Sequence, residues 1–258
     1  MTWVLVEQAG AVATVTLNRP QKRNALTIEM LRALATELER LAGDPGVRVV
    51  VLRGAGPAFC VGADVQAFAA NDANSARRTW VAVGHRVTGL LAELPQPTIA
   101  AIHGHALGGG LEIALACDLR IATSQARLGL PEVGLGTLPG WGGTRRLANA
   151  VGPVRAKAMV LMSEVVDGRQ AQGMGLVTDS CEESELEARV SSVSQALANQ
   201  PAVAVQLAKQ VMNAANAPSH VLQTYEALAG ALSVTTSDLR EGIAAFAEKR
   251  EPRFEGSK

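Results

Sequence analysis

The sequence predicts an α/β fold, and three observations carry that expectation. Short β-branched runs alternate with helical patterns through the first half of the chain. Glycine clusters stand where several of those runs end. From about residue 180 onward only helical stripes remain. Strands that alternate with helices argue for parallel pairing through right-handed crossovers.

Each element has its own signal. Trp3–Glu7 and Val12–Leu17 read as paired strands around Gln8-Ala9-Gly10. Thr27–Ala42 sets Leu31, Leu34, Ala35, Leu38, Leu41 and Ala42 on one helical stripe behind a Thr27 cap. Val49–Leu52 is a short apolar strand. Ser75–Leu94 carries Trp80, Val83, Val87, Leu90, Leu91 and Leu94 at helical spacing. Thr98–His103 follows as a strand, Leu111–Cys117 as a short helix and Leu119–Thr123 as a further strand. Farther on, Leu186, Val190, Val193 and Leu197 form a stripe, and Val203–Val211, Val221–Val234 and Ser237–Arg250 form three more. The expected organisation is a core over 1–195 and a helical oligomerisation segment over 196–258. So thin a helical layer needs another surface to cover its apolar stripes.

Composition narrows the function classes. The 258 residues hold 24 Lys+Arg against 24 Asp+Glu, so no net charge is available for wrapping nucleic acid or coating an anionic membrane. Four Phe, three Trp and one Tyr leave little for base stacking. A hydrophobic fraction of 48% against 19% charged residues is that of a globular chain. Cys60, Cys117 and Cys181 are odd in number and far apart, unlike a zinc or disulfide framework. The start, Met1-Thr-Trp-Val-Leu-Val-Glu, lacks the basic-then-apolar pattern of a signal peptide. The longest mostly apolar stretch, Pro97–Cys117, contains His103, His105, Glu112 and three consecutive glycines, all costly in lipid. A soluble cytoplasmic protein with neither nucleic-acid nor membrane partners is expected.

Three segments could carry chemistry. In Ile102-His-Gly-His-Ala-Leu-Gly-Gly-Gly-Leu-Glu112 a strand runs into glycines and a helix begins near Gly109. The first N–H groups of that helix lack acceptors and stand at its positive end, a site for an anion or an oxyanion. The same pattern also fits a tight turn with an ordinary first-turn Glu112. Gly56-Pro-Ala-Phe-Cys-Val-Gly62-Ala63-Asp64 follows another strand and is either a second donor turn or a plain loop. Glu132 follows Pro131 in an apolar, glycine-rich segment that reaches Gly140-Trp-Gly-Gly-Thr144. There it is either a helix start or a carboxyl whose pKa burial would raise. Two glutamates in different settings suit paired acid and base work. A metal site of His103, His105, Glu112 and Asp118 would need one strand through both histidines, which Gly104 argues against, so no metal is expected.

Together these segments resemble the crotonase (enoyl-CoA hydratase/isomerase) superfamily. Leu17-Asn-Arg-Pro-Gln-Lys-Arg-Asn-Ala-Leu26 is similar to its CoA-binding N-terminal motif, and Glu241-Gly-Ile-Ala-Ala-Phe-Ala-Glu-Lys-Arg250 to its C-terminal signature. The resemblance implies a spiral of ββα turns with a C-terminal helical trimerisation segment, assembled as a homotrimer or homohexamer. It implies an acyl-CoA thioester as substrate and no cofactor beyond the CoA of that substrate. By position it assigns the oxyanion N–H groups to Ala63 and Gly109 and the acid–base pair to Glu112 and Glu132. Substrate contacts fall to Lys22, Arg23, Ala25, Val61, Gly62, Asp64, Gly108, Gly140 and Trp141, with Phe246 and Lys249 reaching CoA from the C-terminal helices. Two positions depart from the pattern. Gln66 stands where many hydratases carry Lys, and Trp141 where a small residue is common, either shaping the acyl pocket or packing beneath the loop.

The implied activity is hydration of trans-2-enoyl-CoA to 3-hydroxyacyl-CoA. Glu112 would activate water and Glu132 would deliver a proton to Cα. The alternatives are an isomerase, decarboxylase or hydrolase of the same superfamily, or a CoA-binding protein without turnover. Isomerases similar to this family usually lack the carboxylate at the Glu112 position. Gly109, as the first residue of its helix, is expected to tolerate proline, which would delete its N–H while keeping the fold.

Overall fold

The structure, a computed structural model, describes residues 2–215 and 217–254. The chain opens with β1 (Val4–Ala9) and β2 (Val12–Leu17), an antiparallel hairpin whose turn is Gly10-Ala11, one residue later than expected. A 3₁₀ turn at Pro20–Lys22 leads to α1 (Ile28–Ala42), capped by the Thr27 side chain, which accepts from Met30 N. Next come β3 (Val49–Gly54), the short helices α2 (Val65–Ala69) and α3 (Ala73–Ser75), a π-helical stretch Ala76–Val81 and α4 (Ala82–Glu93). The expected single helix over 75–94 therefore contains a wide turn, a feature that shifts the phase of the buried face.

Then β4 (Thr98–Ile102), β5 (His105–Leu107) and α5 (Gly109–Ala116) form one ββα turn. The next turn is β6 (Leu119–Thr123) and β7 (Arg127–Gly129), followed by a 3₁₀ turn at Pro131–Leu135, α6 (Gly143–Val151) and α7 (Pro153–Leu161). The chain continues through β8 (Val165–Asp167), α8 (Gly168–Gly173) and β9 (Asp179–Cys181). It ends in α9 (Leu186–Ala198), α10 (Ala202–Asn213), α11 (Ser219–Val234) and α12 (Ser237–Glu248).

Two sheets result. The larger has the order β1-β2-β3-β4-β6-β9, parallel from β2 onward. The smaller, β5-β7-β8, pairs β5 with β7 in parallel and β7 with β8 antiparallel. The two-residue period of a strand divides the core. Val50, Leu52, Ala100 and Ile102 face the main cluster with α1 and α4, while Val49, Val51, Ile99 and Ala101 face Leu186, Val190 and Ala198 of α9. Burial on both faces explains why β3 and β4 are continuous apolar runs.

The first helix beyond α9 is tied to the core by a polar clamp. Lys209 Nζ of α10 lies 2.7 Å from Asp118 Oδ2 and donates to Gln96 O at 3.0 Å. The same Asp118 oxygen accepts from Thr98 N at 2.7 Å and Thr98 Oγ1 at 2.9 Å. Asp118 directly follows α5 and its C-cap residue Cys117, so the clamp reaches the end of that helix.

Candidate active site

Three chain segments end at one edge of the small sheet. On one side of β5, Cys60 N donates to His105 O at 2.9 Å and Leu107 N donates to Cys60 O at 3.0 Å. On the other side, β7 pairs with β5, and Gly108 N donates to Gly129 O at 2.9 Å. All three run parallel, so Val61–Ala63, Gly108–Gly109 and Pro131–Glu132 emerge together. The carboxyl ends of parallel strands are where α/β sheets open their binding crevices. A fourth segment joins through Leu26, whose N–H donates to Gly62 O and whose carbonyl accepts from Asp64 N, both at 2.8 Å. Arg23 O accepts from Val61 N at 3.2 Å, so Lys22–Ala25 lies against the same loop.

Two backbone donors are left free at this edge. The bridge to Leu26 uses Gly62 O and Asp64 N, which turns the N–H of Ala63 away from Leu26. Gly109 is the first residue of α5, where an N–H has no acceptor in its own helix and sits at the positive end of the dipole. Neither N–H meets an acceptor among the described residues. The two loops touch through backbone: a Cβ on Gly62 would lie 2.7 Å from Leu107 O and 3.2 Å from Gly109 N. Buried Asn24 braces this side by donating to Ala55 O, Ala58 O and Phe59 O at 2.9, 2.8 and 3.1 Å. Cys60 Sγ accepts from Gly62 N at 3.4 Å. Burial pushes that thiol up to about 12, which keeps it protonated and unreactive.

The two glutamates face different surroundings. Glu112, in the first turn of α5, is 2% exposed, and its Oε1 accepts from Trp141 N at 2.7 Å and Gly143 N at 2.8 Å. Gly142 between them has φ +89°, the left-handed conformation that lets nearby N–H groups converge on one anion. Gly143 is glycine for space, since a Cβ there would lie 2.6 Å from Glu112 Cγ. Burial pushes the Glu112 carboxyl upward, against the backbone donors Gly143, Trp141 and Gly140 and the Arg146 guanidinium, which favour its ionised form.

Glu132 sits in the 3₁₀ turn with its Oε1 beside Gly108, whose added Cβ would be 3.1 Å away. Its Oε2 is buried with no partner among the described residues. Burial, with a smaller contribution from the charge of Glu112, pushes this carboxyl up to about 7. One carboxyl is held by converging donors that favour its charge; the other, with Oε2 buried and unpartnered, favours its proton.

The remaining expected residues divide. The Asp64 carboxylate is occupied within the chain, capping α2 through Gln66 N and Ala67 N and pairing with Arg19 at 2.7 Å. Gln66 is exposed on α2. Trp141 is 2% exposed and packs as a wedge between Gly84 of α4 and Gly109, 6.1 Å from the Trp80 ring. That wedge overturns one expectation. Any side chain on Gly109, proline's ring included, would overlap the Trp141 indole, with Cε3 only 3.0 Å from an added Cβ. Gly109 is therefore fixed by packing as well as by its N–H, and proline there would not leave the fold intact. Phe246 and Lys249 lie at the end of α12, which packs on α11, and one chain does not bring them to the glutamates; Phe246 is 88% exposed. His103 bonds through Nε2 to Gly56 O at 2.8 Å, and its strand ends before Gly104, φ +62°.

Sequence reasoning missed Arg146 and Thr88, which hold the loop behind Glu112. A buried threonine within a helix and an arginine in the first turn of another give no signal until the loop between them is seen.

Comparison with known proteins identifies the family. Residues 7–257 match the family described as Enoyl-CoA hydratase/isomerase. The chain is 37% identical to the Short-chain-enoyl-CoA hydratase of Clostridium acetobutylicum, over 99% of this chain and 97% of that one. It is 36% identical to the Crotonyl-CoA hydratase of Syntrophomonas wolfei, over 97% of each. The crystal structure of an enoyl-CoA hydratase from Bacillus anthracis superposes with a TM-score of 0.93 at 35% identity, covering 98% of this chain and 99% of that one. With its strand spiral, its paired free N–H groups and this breadth of similarity, the chain belongs to the crotonase (enoyl-CoA hydratase/isomerase) family.

Proposed function

We propose that the protein is an enoyl-CoA hydratase that adds water across the double bond of a trans-2-enoyl-CoA. The observation that carries this reading is the contrast between the carboxyls: Glu112 on two backbone donors, Glu132 with an unpartnered oxygen and a pKa raised to about 7. Hydration needs one base and one acid at the same centre.

In this mechanism the thioester oxygen lies between the N–H groups of Ala63 and Gly109. A water held by both glutamates loses a proton to Glu112 as its oxygen bonds to Cβ. The π electrons move onto the thioester, and the two donors stabilise the resulting enolate; loss of one such donor typically costs roughly 10²–10³ in rate. Glu132 then gives its proton to Cα, which regenerates the thioester carbonyl. Proton exchange with solvent resets the pair. Lys22–Ala25 and Val61–Asp64 hold CoA from one side, while Gly108 and Gly140 border the acyl group and the buried Trp141 packs behind them. Asp64 acts there by shaping the loop, since its carboxylate caps α2 and pairs with Arg19 and its N–H donates to Leu26 O. Glu112 disfavours the isomerase alternative, which manages with one carboxyl.

The segment beyond α9 serves as the oligomerisation surface of a homotrimer or homohexamer in this reading. Support comes from Leu228, Leu232 and Val234 of α11 and Ile243 and Phe246 of α12, all exposed in the single chain. Phe246 and Lys249 would then contact CoA bound to a neighbouring subunit. A cytoplasmic location is supported by three buried cysteines that form no disulfide. No described helix is long and apolar enough to cross a membrane.

The test is product identification by mass spectrometry after incubation with crotonyl-CoA and longer or branched trans-2-enoyl-CoAs. Gain of one water supports the proposal. An unchanged mass with a moved double bond, or release of free CoA, replaces it with isomerisation or hydrolysis.

A further inference from the structure

We propose that Arg146 is a positioning residue for Glu112, acting through the backbone of the Gly140–Gly143 loop. This rests on the hydratase reading for its kinetic consequence, and on geometry for its existence. Arg146 Nη1 donates to Trp141 O at 2.9 Å and its Nη2 donates to Thr88 O at 3.2 Å. Thr88, fully buried on α4, donates its Oγ1 to the same Trp141 carbonyl at 2.9 Å. The peptide between Trp141 and Gly142 is thus pinned by its oxygen. The peptides on either side of it supply the two N–H groups that converge on Glu112 Oε1, from Trp141 and Gly143. Turning the central peptide would swing both donors away from the carboxylate.

The loop is built around this guanidinium. Gly142 has φ +89°, and a Cβ there would lie 2.7 Å from Arg146 Nη1, so the close approach needs glycine twice over. Its neighbour Gly143 accommodates the Glu112 side chain in the same way. Charge adds to shape. The guanidinium favours the ionised form of Glu112, whose base role needs that form. The other charged or titratable groups near this loop are Arg145 on the same helix, His85 of α4 beside Gly142, and Glu132 across the site. Among these, Arg146 is the cation that bears on Glu112.

The experiment compares wild type, Arg146→Gln and Arg146→Lys, with folding checked by circular dichroism. Kinetics on crotonyl-CoA and a carbon-13 NMR titration of labelled glutamate carboxyls are then measured on each. In Arg146→Gln, kcat falls by up to roughly 10²-fold while KM changes little, because the loop behind Glu112 shifts and the CoA contacts do not. The acid limb of the kcat profile and the Glu112 titration both move to higher pH. Arg146→Lys keeps the charge without the fork, so its titration stays near wild type and kcat lies between the other two. A merely structural arginine would lower the melting temperature and move neither titration nor limb, and that result in folded Arg146→Gln overturns the proposal. If Arg146→Gln does not fold, Arg146→Lys decides by its kcat, and a wild-type value there overturns it. Absence of turnover in wild type would indict the hydratase reading instead, and the NMR titration would still decide the role of Arg146.

Discussion

Glu112 and Glu132 carry the same functional group, and the chain separates them by what it places around each. Glu112 has two backbone N–H groups on one oxygen; Glu132 has a buried oxygen with none. That contrast predicts a pH-dependent stability cost. Glu132 titrates near 7 when folded and near the ordinary 4.5 when unfolded. Below about 4.5 both states hold the proton and nothing is lost. Between those values the unfolded chain releases the proton and the native state keeps it, so stability falls as pH rises, and above 7 the cost is complete. Glu132→Gln, which never ionises, should therefore gain thermal stability over wild type more at pH 8 than at pH 5. Each kcal/mol gained corresponds to roughly 2–4 °C in a chain of this size. A melting-temperature difference that is equal at the two pH values would contradict the burial of this carboxyl. Glu132 and the glycines were legible as residue types in a telling order. The orphaned oxygen was not, because it depends on the path of β7 beside β5, far from Glu132's own sequence neighbours.

The elements that build the site are the ones a sequence hides best. β5, β7, β8 and β9 have three residues each, too few to show a two-residue alternation, and none was expected from pattern. The longer β3, β4 and β6 and the capped α1 were legible because burial on one or both faces writes itself into a longer run. The packing of α4 on α5 shows the same limit, since a Trp141 wedge between Gly84 and Gly109 is visible only when three distant positions meet. Gly109→Ala should cost about 1–3 kcal/mol through overpacking. That cost should shrink by about 1 kcal/mol or more when Trp141 is replaced by Leu. Denaturant melts of the two single variants and the double variant measure this coupling, and additive costs would exclude it.

The clamp from α10 makes a parallel prediction. Lys209 is 7% exposed and Asp118 25%. Breaking a buried pair costs about 3–5 kcal/mol, so partial solvation of Asp118 brings Lys209→Met down to about 2–3 kcal/mol. A loss below 0.5 kcal/mol, on the order of a surface ion pair, would show that the clamp does not hold the helix to the core.

At the scale of the whole molecule, the sequence foretold a strand-rich body and a helical tail, and the family match from residue 7 to 257 agrees with the fold implied by its motifs. What covers the tail is a property of more than one chain. Apolar stripes at helical spacing announce only that a partner surface is needed. Light scattering at enzyme concentrations used for assay should give three or six chain masses, and a single chain mass would remove the oligomerisation role of α11 and α12. In the proposed hydratase, a spiral of strands brings two unlike carboxyls and two free N–H groups to one thioester. The measurement that tests this most directly is the initial rate of crotonyl-CoA hydration by wild type and Glu132→Gln, followed by loss of the conjugated enoyl-thioester absorbance. Loss of a positioned acid predicts a fall of roughly 10²–10⁴-fold in a variant that still folds and binds CoA thioester. A folded Glu132→Gln protein that hydrates crotonyl-CoA at the wild-type rate would contradict the account.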